Sequence, residues 1–473
     1  MPSDAPLRQQ VYLRLRAAIE QGTFAPGSKL PPSREHAQVL GVARNTVLWA
    51  LERLRAEGYV VARVGDGSYV APDLAALRAP TPRKTSAPLQ PTTDLSQRGR
   101  LIAETALRWR PPTAAVSAYR IGTPAVNAFP FELWSRLERG LPERVRQDTA
   151  QYLSPAGHQP LREAIAQWLL VSRGIRCEAG QVLVTSGSQQ AIDLIARLLL
   201  DPGDEVLLED PGYLGIRACL VGHGVSACPV PVDEHGLAIA EGAARWPNAR
   251  MAVVTPTHQF PLGVHMGLSR RLELLEWARQ HKAWVVEDDY DGEFQYGTHR
   301  IPALCSLPNH GRVLYVGTFS KTLHPGLRLG FIVLPASLVD AFASAKSLSD
   351  RHSPGAVQEV LARFISDGHL LRHLRRMREL YQERQGVMID SLRKASGCAL
   401  QLAPAAQGMH IAHEIARGDD AHLSRRAGEA GVYLAPLSLY CVQAKRRGWL
   451  FGYAGFDDTA LRLAARNIAP LIR

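Results

Sequence analysis

Between residues 182 and 316 one pattern recurs. A short apolar run without polar alternation is followed by a longer stretch of helical periodicity. The runs are Val182-Leu183-Val184, Glu205-Val206-Leu207-Leu208, Met251-Ala252-Val253-Val254, Ala283-Trp284-Val285-Val286 and Val313-Leu314-Tyr315-Val316. They are β-branched and apolar on both faces, as parallel strands buried from both sides are. Amphipathic stretches at 188–200 and 269–281 lie among them. Alternation of this kind predicts a doubly wound α/β domain over residues 116–473. No internal repeat of fixed period is present.

The first 75 residues have a different grain. Leu7, Val11, Leu15, Ala18 and Ile19 form a helical stripe over 6–21, and Pro26-Gly27 and Pro31-Pro32 make a tight connection. Ser33 is placed to cap a second helix that Gly41 ends. A third begins near Arg44-Asn45-Thr46 and runs through Val47, Leu51 and Leu54 to Gly58. Two short helices joined around a glycine are a helix-turn-helix pattern. Tyr59-Val60-Val61-Ala62 and Ser68-Tyr69-Val70, around Gly65-Asp66-Gly67, complete it as a two-stranded wing. Residues 76–115 lack apolar periodicity and are rich in Pro, Ser and Thr, with seven Arg and Lys against two acids. They read as a semi-extended, solvated linker.

Composition sets bounds on this picture. The 473 residues suffice for two or three domains. The net charge of +11 permits a polyanionic partner without requiring one. No window approaches the roughly 18 apolar residues that span a bilayer, and the N-terminus lacks a signal-peptide core. A cytoplasmic protein without membrane partner is the expectation. Cys177, Cys219, Cys228, Cys305, Cys398 and Cys441 are scattered, without C-x-x-C or zinc spacing, so free thiols and no metal are expected.

Arg44, Asn45 and Thr46 stand where a recognition helix meets base edges and phosphates. Arg offers a fork to guanine, Asn offers one to adenine, and a helix N-terminus favours phosphate. The segment from Leu30-Pro31-Pro32-Ser33-Arg34-Glu35 through Leu40-Gly41-Val42-Ala43-Arg44-Asn45-Thr46-Val47 to Gly65-Asp66-Gly67-Ser68-Tyr69-Val70 strongly resembles the winged helix-turn-helix of the GntR family. The resemblance implies that Arg34, Arg44, Asn45 and Thr46 face double-stranded operator DNA, with wing glycines such as Gly67 approaching a groove. Ala43 stands where that family often has Ser.

The richest stretch chemically is Val316-Gly317-Thr318-Phe319-Ser320-Lys321-Thr322-Leu323-His324-Pro325-Gly326-Leu327-Arg328. Its lysine follows a buried strand at the edge of an α/β sheet where ligands bind. Glu287-Asp288-Asp289-Tyr290 ends another strand. Together these are the parts that pyridoxal 5′-phosphate requires. Its aldehyde needs a primary amine to form an imine, the internal aldimine, and Lys321 supplies one. The protonated pyridine nitrogen needs a buried carboxylate, Asp288. The phenolic oxygen needs a donor, Tyr290. The phosphate needs a cation and hydroxyls, Arg328 with Thr318 and Ser320, and a helix N-terminus, Ser186-Gly187-Ser188-Gln189. Tyr213, in Asp210-Pro211-Gly212-Tyr213, is suited to stack on the ring. Singly each signal is ordinary; the ordered set at strand ends is not.

Residues 116–473 resemble the fold-type I aminotransferases. Tyr152-Leu153-Ser154-Pro155-Ala156-Gly157 resembles an early motif of that family, and the match implies that Tyr152 reaches the phosphate of a neighbouring subunit, hence a homodimer. A winged helix joined to such a domain resembles the MocR subfamily of GntR regulators, as do Thr257-His258-Gln259-Phe260-Pro261-Leu262-Gly263 and Glu287-Asp288-Asp289-Tyr290-Asp291-Gly292-Glu293-Phe294. Three departures bear on the ligand. The Asn of the aminotransferase Asn-Pro-Thr-Gly element is missing, with His258 or Gln259 as substitutes. Gly215 stands where the γ-aminobutyrate-responsive regulator of the group has Arg, and Arg217 lies two residues on. The strand Trp449-Leu450-Phe451-Gly452-Tyr453-Ala454-Gly455 lacks the usual carboxylate-binding Arg, the nearest being Arg446 and Arg447. The expectation is a dimeric, cofactor-dependent transcriptional regulator sensing an amine, an amino acid or the cofactor itself. The alternatives are a working aminotransferase with a DNA-binding domain attached, and a DNA-binding protein whose large domain has lost the cofactor and only dimerises.

Overall fold

The structure is a computed structural model and describes residues 6–63, 65–77, 95–108, 117–297, 301–308 and 311–472. It divides into two compact units, 1–94 and 95–473. Most of the expected linker lies outside the described residues.

The first unit contains α1 (Leu7–Glu20), α2 (Ser33–Leu40) and α3 (Arg44–Ala56), then β1 (Val60–Arg63) paired antiparallel with β2 (Gly67–Val70). Its core forms from Val11, Leu15 and Ile19 of α1 packed on Val47, Ala50, Leu51 and Leu54 of α3, closed by Val60 and Val70. Gly41 ends α2 in the left-handed conformation, at φ 66°. Ser33 departs from the expected cap: Pro32 holds that position and Ser33 is already helical. Its hydroxyl instead accepts from Arg44 Nε at 3.2 Å.

The second unit opens with α4 (Gln97–Arg108). This segment falls inside the stretch expected to be semi-extended. Its Ile102 lies against Gly222, where a Cβ would come within 3.2 Å of its side chain. Arg98 adds a hydrogen bond to the Gly222 carbonyl at 3.0 Å. Tertiary packing thus makes a helix where prolines nearby suggested none. Helices α5 (Phe131–Arg139), α6 (Glu143–Thr149) and α7 (Gln159–Arg173) precede the main sheet.

The sheet then follows. Its strands are β3 (Val182–Thr185), β4 (Glu205–Asp210), β5 (Ser226–Asp233), β6 (Gly236–Leu237), β7 (Met251–Val254), β8 (Trp284–Asp289), β9 (Val313–Thr318) and β10 (Gly330–Val333). The spatial order is β3-β10-β9-β8-β7-β4-β5-β6. Strands β5, β4, β7, β8 and β9 pair in parallel, whereas β10 is antiparallel to both neighbours. The helices between them are α8 (Ser188–Leu199), α9 (Leu214–Gly222), α10 (Ile239–Arg245), α11 (Leu268–Gln280) and α12 (Phe319–Thr322). Alternate residues feed two cores. Val206, Leu208, Met251, Val253, Val286, Leu314 and Val316 pack with α8 and α9. Leu207, Ala252, Val254, Val285 and Val313 pack on the opposite face with α11. That is why these strands read as continuous apolar runs. A three-stranded antiparallel sheet, β11 (His410–Glu414), β12 (Ala435–Pro436) and β13 (Gly448–Gly452), follows in the order β11-β13-β12.

All six cysteines are free, and no described helix is long and apolar enough to cross a membrane.

One buried ion pair ties the back of the sheet together. Arg173, 2% exposed, brings Nε within 2.7 Å of Asp289 Oδ2 as a charge contact. It also donates to Thr257 Oγ1 and the Gly292 carbonyl. Removing one partner leaves the other charge uncompensated. Arg173→Met is expected to cost about 3–5 kcal/mol, read from the urea midpoint; unchanged stability would contradict the pairing.

Candidate functional site

Parallel strands end at one edge of the sheet, so their loops converge there. Five such loops deliver the side chains singled out from sequence.

After β3 the chain turns through Ser186 and Gly187 into α8. Gly187, at φ 107°, precedes a helix N-terminus whose free N–H groups attract an anion. Arg328, itself left-handed at φ 49°, donates from Nη2 to the Ser186 carbonyl at 2.7 Å. Its guanidinium therefore lies beside Gly187. Gly330 of β10 lets the loop approach: a Cβ there would sit 2.9 Å from Gly187 Cα. Thr318 ends β9 and caps α12, its hydroxyl accepting from the Ser320 amide at 3.2 Å. Ser186 Oγ donates to Asp350 Oδ2 at 3.3 Å, and the Lys346 ammonium, 2.6 Å from Asp350 Oδ1, balances that acid. Gln189 turns its side chain away, donating to the Gly215 carbonyl at 3.0 Å.

Lys321 rises from α12, and its Nζ donates to the Gly122 carbonyl at 2.8 Å. Burial lowers its pKa, which favours the neutral, nucleophilic amine. Asp288, at the end of β8, is 5% exposed, and its Oδ1 has no hydrogen-bond partner. Burial, reinforced by Asp289, Glu209 and Asp291, pushes its carboxyl up to about 7. The adjacent acids diverge because successive strand residues face opposite ways. Asp289 pairs with Arg173 behind the sheet, while Asp288 is left to the cleft.

Tyr290 Oη lies 2.9 Å from His258 Nδ1, which also contacts Asp291 Oδ2 at 2.9 Å. Of the two substitutes for the missing Asn, His258 therefore stands beside Tyr290. Gln259 is used in its own turn, donating to Glu209, Pro211 and Phe260. His258, Asp291 and His410 offer ligand atoms within 4.8 Å of one another, a clustering that sequence spacing did not disclose. Tyr213 caps α9 and packs edge-on against Phe260 at 5.7 Å. A Cβ on Gly215 would fall 2.6 Å from the Tyr213 ring and 2.9 Å from Gln189 Oε1. An arginine cannot replace that glycine without displacing the aromatic.

Tyr152 stands apart from this cluster. It is 85% exposed, with Arg351 5.6 Å from its ring centroid and His352 at 6.1 Å. Neither Arg446 nor Arg447 enters the cleft: the first pairs with Glu414 and the second donates to the Gly418 carbonyl.

The residues fit pyridoxal phosphate on the structure's own terms. A buried carboxyl oxygen lacks a donor, an amine is held in the same cleft, and a helix N-terminus is flanked by an arginine. Sequence reading passed over Arg120, Gly122 and Asp350, which reach the site through tertiary contacts alone.

In the first unit, Arg34, Arg44 and Asn45 are exposed and Thr46 is half-buried. The Arg44–Ser33 bond draws the N-termini of α2 and α3 together on one face. Gly67, at φ 118°, opens β2. Two cations not selected from the sequence stand at the wing: Arg63 of β1, stacked 4.2 Å from the Tyr69 ring centroid, and Lys29 of the α1–α2 connection, paired with Asp66 at 2.6 Å.

Comparison with known proteins matches residues 7–70 to the bacterial regulatory proteins of the gntR family and residues 125–468 to aminotransferase class I and II. The chain is 39% identical over 466 residues to a probable rhizopine catabolism regulatory protein MocR of Rhizobium meliloti, covering 97% of this chain and 92% of that one. It is 28% identical to a pyridoxine biosynthesis transcriptional regulator, PdxR, of Corynebacterium glutamicum, covering 98% and 95%. The crystal structure of LysN, an α-aminoadipate aminotransferase of Thermus thermophilus complexed with N-(5′-phosphopyridoxyl)-L-leucine, superposes with a TM-score of 0.69. That match is 28% identical and covers 78% of this chain and 96% of the enzyme. Both halves are thus accounted for along one continuous chain, which belongs to the MocR type of the GntR family: DNA-binding transcriptional regulators whose large domain has the fold-type I aminotransferase architecture.

Proposed function

We propose that this regulator binds pyridoxal phosphate at Lys321, works as a homodimer, and reads an amine or amino-acid effector through that site. The observation that carries this reading is the Asp288 carboxyl, buried and without a partner, in the same cleft as the Lys321 amine. Bound there, pyridoxal phosphate supplies an aldehyde carbon that takes up primary amines.

Each residue of the chain has a task in this arrangement. Asp288 would accept from the pyridine nitrogen, and that bond would offset the cost of its burial. Tyr290, next to His258, would donate to the phenolic oxygen. Arg328, Thr318, Ser320 and the Gly187–Ser188 amides would hold the phosphate, and Tyr213 would supply an aromatic face to the ring. The high exposure of Tyr152 supports a role in a neighbouring subunit's site. A two-fold dimer presents two recognition helices, hence two half-sites.

An effector acts only by favouring one arrangement of the protein over another. Helix α9 starts just after Tyr213 and ends at Gly222, whose carbonyl accepts from Arg98 of α4. It therefore links the effector's position to the first helix after the tether. The name of the Corynebacterium relative supports a second reading, in which the cofactor alone is the signal. A regulator rather than an aminotransferase accords with relatives that are regulators along nearly their whole length. Exposing the loaded protein to an amino-acid panel separates the readings: sustained keto-acid release would identify an enzyme.

Purified protein loaded with pyridoxal phosphate should show a visible absorbance band that Lys321→Ala abolishes. A colourless wild type would refute the cofactor assignment. In protein stripped of cofactor, folded Asp288 keeps its proton up to about pH 7, whereas the unfolded chain loses it near the ordinary value of 3.8. Stability should therefore fall as pH rises from about 4 to 7. Asp288→Asn should make that decline shallower in denaturation curves taken across the range, the remainder coming from Glu209 and Glu287, which burial likewise pushes up to about 7. Arg44→Ala should weaken operator binding by roughly tenfold, the scale of one lost base or phosphate contact, and leave the absorbance band unchanged. Gel-shift titration checks this, and unaltered affinity removes Arg44 from the recognition surface.

A further inference from the structure

A carboxylate entering this cleft gives up its hydration and needs a cation in exchange. Strand β13 supplies none, and Arg446 and Arg447, just before it, are bound elsewhere. At the other end of β13 a separate segment is laid against the strand. Gly452 N donates to the Tyr119 carbonyl at 3.0 Å, and the two residues form an antiparallel bridge. Only a glycine admits this approach, since a Cβ on Gly452 would fall 2.4 Å from the Arg120 carbonyl oxygen and 2.9 Å from Ile121 Cα. Two residues on, Gly122 accepts from the Lys321 amine. Arg120 is thus held between the strand end and the reactive nitrogen.

Its side chain is half-buried, with the guanidinium carbon 5.9 Å from the centroid of the Tyr433 ring. Among the described residues no carboxylate pairs with it. Its charge is felt at Lys321, where it opposes protonation of the amine. A partly desolvated, unpaired guanidinium next to an amine-exchange site is an anion receptor.

We propose that Arg120 binds the carboxylate of the effector, standing in for the cation absent from β13, so that the ligand class is an amino acid rather than a simple amine. This rests on the reading of Lys321 as the cofactor lysine. Arg120 selects and positions the ligand; the amine chemistry stays with Lys321.

Two reagents separate these claims. Aminooxyacetate and O-methylhydroxylamine present the same reactive –O–NH₂ group to a pyridoxal site, and only the first carries a carboxylate. With full-length protein loaded with pyridoxal phosphate, the rate of loss of the visible band is measured for each across a concentration series. In Arg120→Ala and Arg120→Gln, the aminooxyacetate-to-O-methylhydroxylamine rate ratio should drop about tenfold or more, the scale of one charge-assisted bidentate contact. Any change in the O-methylhydroxylamine rate reports the altered charge at Lys321, which is common to both reagents and cancels in the ratio. Arg120→Lys, which keeps the charge and loses the fork, should recover part of the ratio. Arg217→Ala, removing another cation near Tyr213, should leave it unchanged. A ratio unaltered in both neutral variants, or one lowered by Arg217→Ala instead, overturns the assignment. Absence of any visible band in loaded wild type overturns the cofactor reading and this proposal with it.

Discussion

The large domain is organised around a carboxyl group that the protein itself leaves unsatisfied. Burying an acid without a partner costs free energy, which the protein meets here by holding the proton: Asp288 is pushed up to about 7. Nearby Glu209, also buried, is pushed to about 7 even though Thr255 and Gln259 donate to it. The site is thus an acidic pocket that encloses the Lys321 amine, and the protein offers the Asp288 Oδ1 atom no donor of its own. Lys321, Tyr290 and the N-terminus of α8 are delivered to the same edge of the sheet.

What keeps the arrangement from collapsing is separation of roles between adjacent residues. Asp288 and Asp289 are chemically alike, but strand alternation sends one to the cleft and the other to Arg173. Glu287 is spent on the Leu304 and Cys305 amides. Of three consecutive acids, two are structural and one is free. The same economy governs His258 and Gln259. One stands beside Tyr290, and the other stitches the loop that carries it.

Glycines determine what can come close. Gly330 admits the anion loop, Gly215 leaves room for the Tyr213 ring, and Gly452 lets the segment bearing Arg120 lie on β13. The strand that ends at Gly452 carries no arginine, unlike an aminotransferase that grips its substrate through one there, and Gly215 stands where the γ-aminobutyrate-responsive regulator of the group has Arg. This departure occurs in a protein whose first seventy-odd residues form a separate unit with its own core and match the gntR family.

Local pattern alone determined the winged helix and the parallel strands, and it placed Asp288, Tyr290 and Lys321 at or just past strand ends. Strand burial, glycine-terminated helices and short motifs are written in neighbouring residues. The antiparallel insertion of β10, the helix Gln97–Arg108 and the choice of His258 over Gln259 were decided by contacts between distant segments. So was the arrival of Arg120 beside Lys321, two hundred residues away in the chain. No periodicity records such meetings, because they depend on which distant segments the folded sheet brings to the same edge.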